Sequence, residues 1–151
     1  MKYYEDAVIG EKVIHQMKHV LTEEEIIRVG KEWDPQPFHI DKEAAEKSIF
    51  GGLIAANVHL YGISCKIGNS STEKWAVVAG LGISSMKNYA PGRPGDTLMV
   101  HSTCINKKES GSKPGFGIIE FRVELMNQDQ KVIFSYIVAG LYQMRGTGVK
   151  L

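Results

Sequence analysis

The sequence predicts an α+β domain in which a long buried helix packs against an antiparallel sheet. An apolar segment over residues 53–67 predicts the helix, because its ~15 residues exceed a typical strand and fall short of a membrane span. After residue 75 the chain is rich in Val, Ile and Gly and is divided by turn sequences, which indicates long strands joined by tight connections. One helix covers one face of such a sheet. A second copy would cover the remaining apolar surface, so we expect a homodimer or higher homo-oligomer.

Length and composition narrow the class of protein. The 151 residues predict a single domain over residues 1–151. A net charge of +1 gives no field that would attract nucleic acid or an anionic membrane, so neither is expected as a partner. The polar first residues and the lack of a long apolar run predict no secretion signal and no membrane span. The two cysteines lie in apolar contexts, which is typical of reduced thiols in a cytoplasmic protein.

The first half of the chain contains a strand and a capped helix. Residues 13–20 mix β-branched and polar side chains and predict a strand. Thr22 and Glu25 form a capping-box pattern, which predicts a helix with Thr22 as its N-cap. That helix must end by Asp34, because Pro35 follows. Its buried side is expected to carry Ile26, Ile27, Val29 and Trp33.

The later elements follow from turn residues and alternation. Asp41 is suited to cap a short helix, and Phe50-Gly51-Gly52 predicts a hinge before the long buried helix. Residues 107–115 are polar and predict a loop. Four strands are expected over residues 75–89, 97–106, 116–126 and 131–144.

Two groups able to carry protons lie in the short segment 34–41. Asp34 and His39 are five residues apart, and both side chain types serve as acid or base. Pro35 and Pro37 fix their own φ and push the preceding residues into extended conformations, so a stiff irregular loop is predicted rather than a helix. Each residue alone also has a structural explanation. Asp34 can hydrogen-bond nearby backbone in a turn, and His39 can be a buried histidine satisfied by a carbonyl.

Residues 33–57, WDPQPFHIDKEAAEKSIFGGLIAAN, resemble the signature of MaoC-like dehydratases, also called (R)-specific enoyl-CoA hydratases. Residues 93–98, RPGDTL, and 112–119, SKPGFGII, are also similar to segments of that family. The resemblance implies a hot-dog fold, in which an antiparallel sheet wraps a long central helix, and a homodimer as the minimal unit. It implies that water is added to, or removed from, the α,β double bond of an acyl-CoA thioester. Neither a metal nor a redox cofactor is implied.

The resemblance also assigns site residues. Asp34 and His39 match the catalytic pair, which can hold one water and share its proton transfer. Residues 54–57 align with the family's I-A-x-G element, whose last backbone N–H helps bind the thioester oxygen. Here Asn57 replaces the usual glycine, so the N–H is retained while the pocket shape changes. Backbone N–H groups near Gly52 and Asn57, at the expected start of the buried helix, would meet the developing oxyanion.

Two other functions remain open at this point. A hot-dog thioesterase would activate water against the thioester carbonyl instead of C3, although the spacing of Asp34 and His39 favours a hydratase. A catalytically inactive acyl-thioester-binding subunit is the other alternative, and Asn57 is the residue that suggests it. Lys107, Lys108 and Lys113 can meet the phosphates of CoA, or they can form a solvated hairpin end.

Overall fold

The computed structural model describes residues 1–148, and residues 149–151 of the predicted domain lie outside the described part. A short 3-10 helix covers Tyr4–Asp6, and the α-helical segments are α1 (Glu23–Trp33), α2 (Pro37–Ile40), α3 (Lys42–Glu46) and α4 (Asn57–Gly68). Its strands are β1 (Lys12–Ile14), β2 (His19–Val20), β3 (Val77–Asn88), β4 (Thr97–Glu109), β5 (Phe116–Met126) and β6 (Val132–Gln143). None of the described helices combines the length and the apolar character that crossing a membrane requires.

The sheet is antiparallel, in the order β1-β4-β5-β6-β3, and β2 pairs separately with β4. Alternating residues of the central strands face α4 and form the main core, as their period-two pattern predicts. The core joins three side chains of α4 to three of the sheet: Leu60, Ile63, Ile67, Leu98, Leu125 and Phe134. The predicted packing of a helix against an antiparallel sheet is therefore confirmed.

The first predicted strand is divided in two. β1 pairs with residues 101–103 of β4, and β2 pairs with residues 97–98. Between them, Met17 packs against the core instead of continuing the ladder. The loop expected to begin at Lys107 begins later, since β4 continues to Glu109.

Helix α1 begins as predicted but buries fewer residues than predicted. The Oγ1 atom of Thr22 accepts a hydrogen bond from the Glu25 backbone N–H at 3.2 Å, which confirms the N-cap. Ile26 and Gly30 are buried. The expectation for Trp33 is wrong, because the last turn of α1 extends past the core and leaves this residue 66% exposed.

Helix α4 begins at Asn57, four residues later than predicted. The preceding backbone is bonded elsewhere: Ile54 N–H donates to the Phe38 carbonyl at 3.2 Å, and Ala55 N–H donates to the Gly92 carbonyl at 2.9 Å. These groups cannot also join a helix. The helix predicted as buried is buried on one side only, because Val58 and Lys66 face solvent.

Strand β3 forms one edge of the sheet, with β6 as its neighbour. It follows the strand predicted over residues 75–89 closely, and its pairing with β6 shifts register at three places, as at a β-bulge. Every residue of β3 is exposed, including Val77, Leu81, Ile83 and Met86. An apolar edge strand of twelve residues is an unprotected surface for strand pairing.

Candidate active site

Asp34 and His39 are held by two helical segments that touch at a glycine. Asp34 directly follows α1, and its N–H donates to the Gly30 carbonyl at 2.9 Å. Pro37 occupies the first position of α2, where proline is tolerated, so residues 37–40 form a helical turn instead of the irregular loop predicted. A Cβ atom on Gly30 would lie 2.9 Å from His39 Cβ and 3.0 Å from the His39 carbonyl oxygen. A glycine is therefore required for α2 to pack this closely on α1.

The hydrogen bonds of His39 fix which ring nitrogen is available. Its Nδ1 lies 2.6 Å from the Ile54 carbonyl oxygen. A carbonyl oxygen can only accept, so Nδ1 carries the proton and donates it. In the neutral ring Nε2 is then unprotonated, and it lies 3.5 Å from Oδ2 of Asp34. The structure thus brings the two predicted residues together.

The structural explanations for the pair account for only part of what is seen. His39 is buried and one of its nitrogens is satisfied by a carbonyl, as the structural alternative expects, but Nε2 faces Asp34. Within residues 1–148 the Asp34 carboxylate makes no hydrogen bond to nearby backbone. Its side chain is 39% exposed, so solvent or a ligand reaches it. A buried imidazole and an accessible carboxylate are suited to exchanging a proton with a bound molecule.

A cavity of about 510 Å³ lies at this pair. Of the predicted site residues, Asp34, His39 and Asn57 line it, whereas Gly52 does not. Sequence reasoning missed most of its remaining polar wall, which comes from Gln36, Asn88 and Tyr89. The last two lie at the end of β3, far along the chain from the proton-carrying pair. The signal that could have found them is a polar and aromatic pair that ends the predicted strand over residues 75–89.

The start of α4 is open toward this cavity. Its N-cap, Ala56, has no side chain able to accept from the first-turn N–H groups. The N–H groups of a first helical turn have no partner within the helix and carry the positive end of the helix dipole. Asn57 is the first helical residue, lines the cavity and is exposed. An oxygen atom of a ligand would therefore find donors here.

Gly52 was expected at the start of the buried helix, and that placement is wrong because α4 begins five residues later, at Asn57. It lies before α4, in the segment whose backbone is bonded to other parts of the chain. Its carbonyl oxygen accepts from Nη1 of Arg93 at 3.3 Å, and Nη2 of the same side chain donates to the Phe50 carbonyl. Arg93 therefore restrains the predicted hinge at residues 50–52 by binding two of its carbonyl oxygens.

Lys107, a candidate contact for CoA phosphates, has another role. Its Nζ donates to the carbonyl oxygens of Tyr4 at 3.1 Å and Ala7 at 2.9 Å. These bonds tie the first residues to β4 and occupy the ammonium group. Lys108 and Lys113 are exposed.

Residues 5–123 match the family described as MaoC like domain. The structure is similar to that of a MaoC-like dehydratase from Rhodospirillum rubrum, with a TM-score of 0.88, 30% sequence identity, and coverage of 96% of this chain and 99% of that one. It is also similar to the R-hydratase PhaJ1 from Pseudomonas aeruginosa (TM-score 0.71, 18% identity, 99% and 92% covered). A Mycobacterium tuberculosis protein, Rv0216, with a double hotdog fold gives a TM-score of 0.76 (14% identity, 99% and 46% covered). The last two similarities concern the fold, and they confirm the α+β hot-dog fold that was predicted.

Proposed function

This chain belongs to the MaoC-like domain family, and we propose that it is a hydro-lyase that adds water to, or removes it from, the α,β double bond of a small acyl-CoA thioester. The observation that carries the proposal is the 3.5 Å approach of His39 Nε2 to Asp34 Oδ2, in a cavity that Asn57 at the start of α4 also lines. A thioester bound there would have its double bond near the pair and its carbonyl oxygen near the helix. The proposed reaction uses no metal or redox cofactor.

In the hydration direction, Asp34 and His39 hold one water between them. As the water oxygen bonds to C3, its O–H bond breaks and the pair accepts the proton. The electrons of the double bond move toward Cα and the thioester oxygen. The pair then returns a proton to Cα, so one molecule of water is added and the enzyme is regenerated. Dehydration is the same sequence in reverse.

The negative charge that develops on the thioester oxygen is met by α4. The backbone N–H of Asn57 is the proposed hydrogen-bond donor, and the positive end of the helix dipole adds to it. Such a donor binds the enolate-like oxygen more strongly than the neutral carbonyl, which lowers the barrier and not only the binding energy. A donor of this kind is typically worth about 100-fold or more in rate.

A single incubation tests the assignment. Purified protein is mixed with crotonyl-CoA, and the enoyl absorbance and the free thiol are followed together. Loss of absorbance without thiol is the expected result. Release of thiol would instead indicate the thioesterase alternative. If neither signal changes across enoyl-CoA thioesters of increasing length, hydration is refuted, and binding measured by calorimetry would indicate the inactive subunit that Asn57 suggested.

Variants of the pair separate chemistry from folding. Asp34→Asn and His39→Ala are each expected to lower kcat by about 100-fold or more. Asp41→Asn is the matched control, since Asp41 caps α3 through a 3.0 Å bond to the Ala44 N–H and asparagine caps equally well. Full activity in either Asp34→Asn or His39→Ala would contradict the assignment.

We also propose that the protein acts as a homodimer in the cytoplasm. The support for the dimer is β3, whose apolar residues and edge backbone groups are exposed. The end of this strand contributes Asn88 to the cavity, so an interface along β3 would lie beside the site. Cys65 and Cys104 are both free thiols, which supports a reducing location such as the cytoplasm.

A further inference from the structure

A second group of titratable side chains lies at the other end of α1 from Asp34. Glu25, in the first turn of α1, is flanked by His19 of β2 and His59 of α4. Its Oε2 lies 2.8 Å from His19 Nε2, and its Oε1 lies 3.3 Å from His59 Nε2. The capping-box pattern predicts that Glu25 folds back onto the Thr22 backbone. The structure directs its carboxylate to the two histidines instead.

The position of His59 is costly for the fold. This residue is 5% exposed, and within residues 1–148 neither ring nitrogen has a well-aligned hydrogen-bond partner. A buried polar group without such a partner destabilises the folded state, and an apolar side chain would avoid that cost. Nor is the cluster arranged for a metal, since no three suitable side chains of the described part are placed to hold one. A reason other than stability is therefore required.

The cluster connects the two helices that hold the proposed active site. α1 ends at Asp34, and α4 begins with Asn57, two residues before His59. The two helices also share the apolar core, to which Ile26 of α1 and Ile63 of α4 belong. Apolar contacts are non-directional and permit small sliding movements. The contact of Glu25 with His59 joins two polar atoms, Oε1 and Nε2 at 3.3 Å, and weakens as they separate, so it can set the position of one helix along the other.

We propose that Glu25 is a positioning residue: by binding His19 and His59 it fixes the first turn of α4 against α1, and thereby holds the Asn57 N–H at a set distance from Asp34 and His39. This inference rests on the proposed function for its catalytic consequence. The link between the helices itself does not depend on the reaction.

The charges of the cluster are consistent with this role. Burial opposes ionisation of Glu25, but the adjacent imidazoles of His19 and His59 hold the pKa of this carboxyl below its usual range. Burial lowers the pKa of His59, while Glu25 counteracts part of that shift. Glu25 is therefore ionised at neutral pH, and its 2.8 Å hydrogen bond with His19 is stronger than one between neutral groups.

The first measurement does not depend on activity. Amide hydrogen exchange over residues 59–63 is compared in the wild type, Glu25→Ala and Glu24→Gln. Glu24 is an exposed acid in the same turn of α1, so its variant is the matched control. Faster exchange in α4 is expected in Glu25→Ala alone. Unchanged exchange in that variant would overturn the proposal.

The second measurement separates positioning from folding. Glu25→Ala is expected to lower kcat by about 10-fold or more with little change in KM, because sub-ångström misplacement acts mainly on the transition state. Glu25→Gln keeps the shape of the bridge and should restore most of that loss. His59→Leu should unfold at the same or a higher temperature and yet lose kcat. A variant set in which Tm falls while kcat is unchanged would show that the cluster is merely structural.

The two proposals can fail separately. If the wild type turns over no thioester but exchange in α4 increases in Glu25→Ala, the proposed reaction is wrong and the link between the helices stands. If the wild type is an active hydratase and Glu25→Ala matches it in kcat and exchange, the positioning role is wrong and the reaction stands.

Discussion

Replacing Gly30 by alanine tests whether the approach of α1 to α2 sets the active pair. The added methyl would lie 2.9 Å from His39 Cβ and 3.0 Å from Ile40 Cγ2. His39 must therefore retreat by about 0.5 Å before ordinary contact is reached. A displacement of about 1 Å can cost about 100-fold in rate, so about 10-fold is expected for this one. Its Nε2 would leave its position 3.5 Å from Asp34 Oδ2.

The net loss of stability, about 0–2 kcal/mol, is comparable to the roughly 1.4 kcal/mol of a 10-fold loss in rate. Overpacking costs about 1–3 kcal/mol, and alanine recovers about 1 kcal/mol of helix propensity over glycine. The assay is kcat for crotonyl-CoA, with thermal unfolding measured on the same sample. Gly62→Ala is the control, because Gly62 also lies inside a helix and its added Cβ meets no atom within 4 Å. A folded Gly30→Ala protein with wild-type kcat would refute the link between this contact and catalysis.

Three further predictions concern pH, assembly and the pocket. Burial holds the pKa of His59 below 6.5 in the folded protein, so the His59 imidazole of the unfolded chain is protonated first as pH falls. The free energy of unfolding should therefore decrease as pH drops from about 6.5 toward the folded pKa. Burial also lowers the pKa values of His15 and His101, so denaturant titrations of His59→Leu should show a reduced pH dependence, not a flat one. Leu81→Lys on β3 should convert the dimer to a monomer, as measured by sedimentation. Val20→Lys, at a similarly exposed residue of β2, is the control and should leave the dimer intact. A monomeric wild type would contradict the proposed interface. Asn57→Gly keeps the backbone N–H but removes a side chain from the cavity wall. The kcat for crotonyl-CoA should therefore persist, and kcat/KM should increase for longer enoyl thioesters. Loss of all turnover would instead assign the Asn57 carboxamide a direct role.

Local signals predicted those elements whose boundaries depend on nearby residues. Thr22 and Pro35 set the limits of α1, and Asp41 caps α3 as expected. The pairing of Asp34 with His39 was predictable because both lie in one short segment. The long strands followed from alternation and turn residues.

Three of the errors share a physical cause, which is polar contact over long sequence separations. The start of α4 was misplaced because the N–H groups of Ile54 and Ala55 bond to Phe38 and Gly92. No local pattern encodes those partners. Gly52 was assigned to the helix start for the same reason. Glu25 matched a capping pattern, but its carboxylate lies 3.3 Å from Nε2 of His59, thirty-four residues away in sequence.

The bond from His39 Nδ1 to the Ile54 carbonyl has a stereochemical consequence. Because that nitrogen keeps its proton, the ring exchanges protons through Nε2 alone and cannot pass one from one side of the site to the other. A proton taken from water at Nε2 must leave from Nε2. The hydroxyl group and the new hydrogen should therefore arrive on the same face of the double bond. Hydration in deuterated water should give a single diastereomer with the two groups syn.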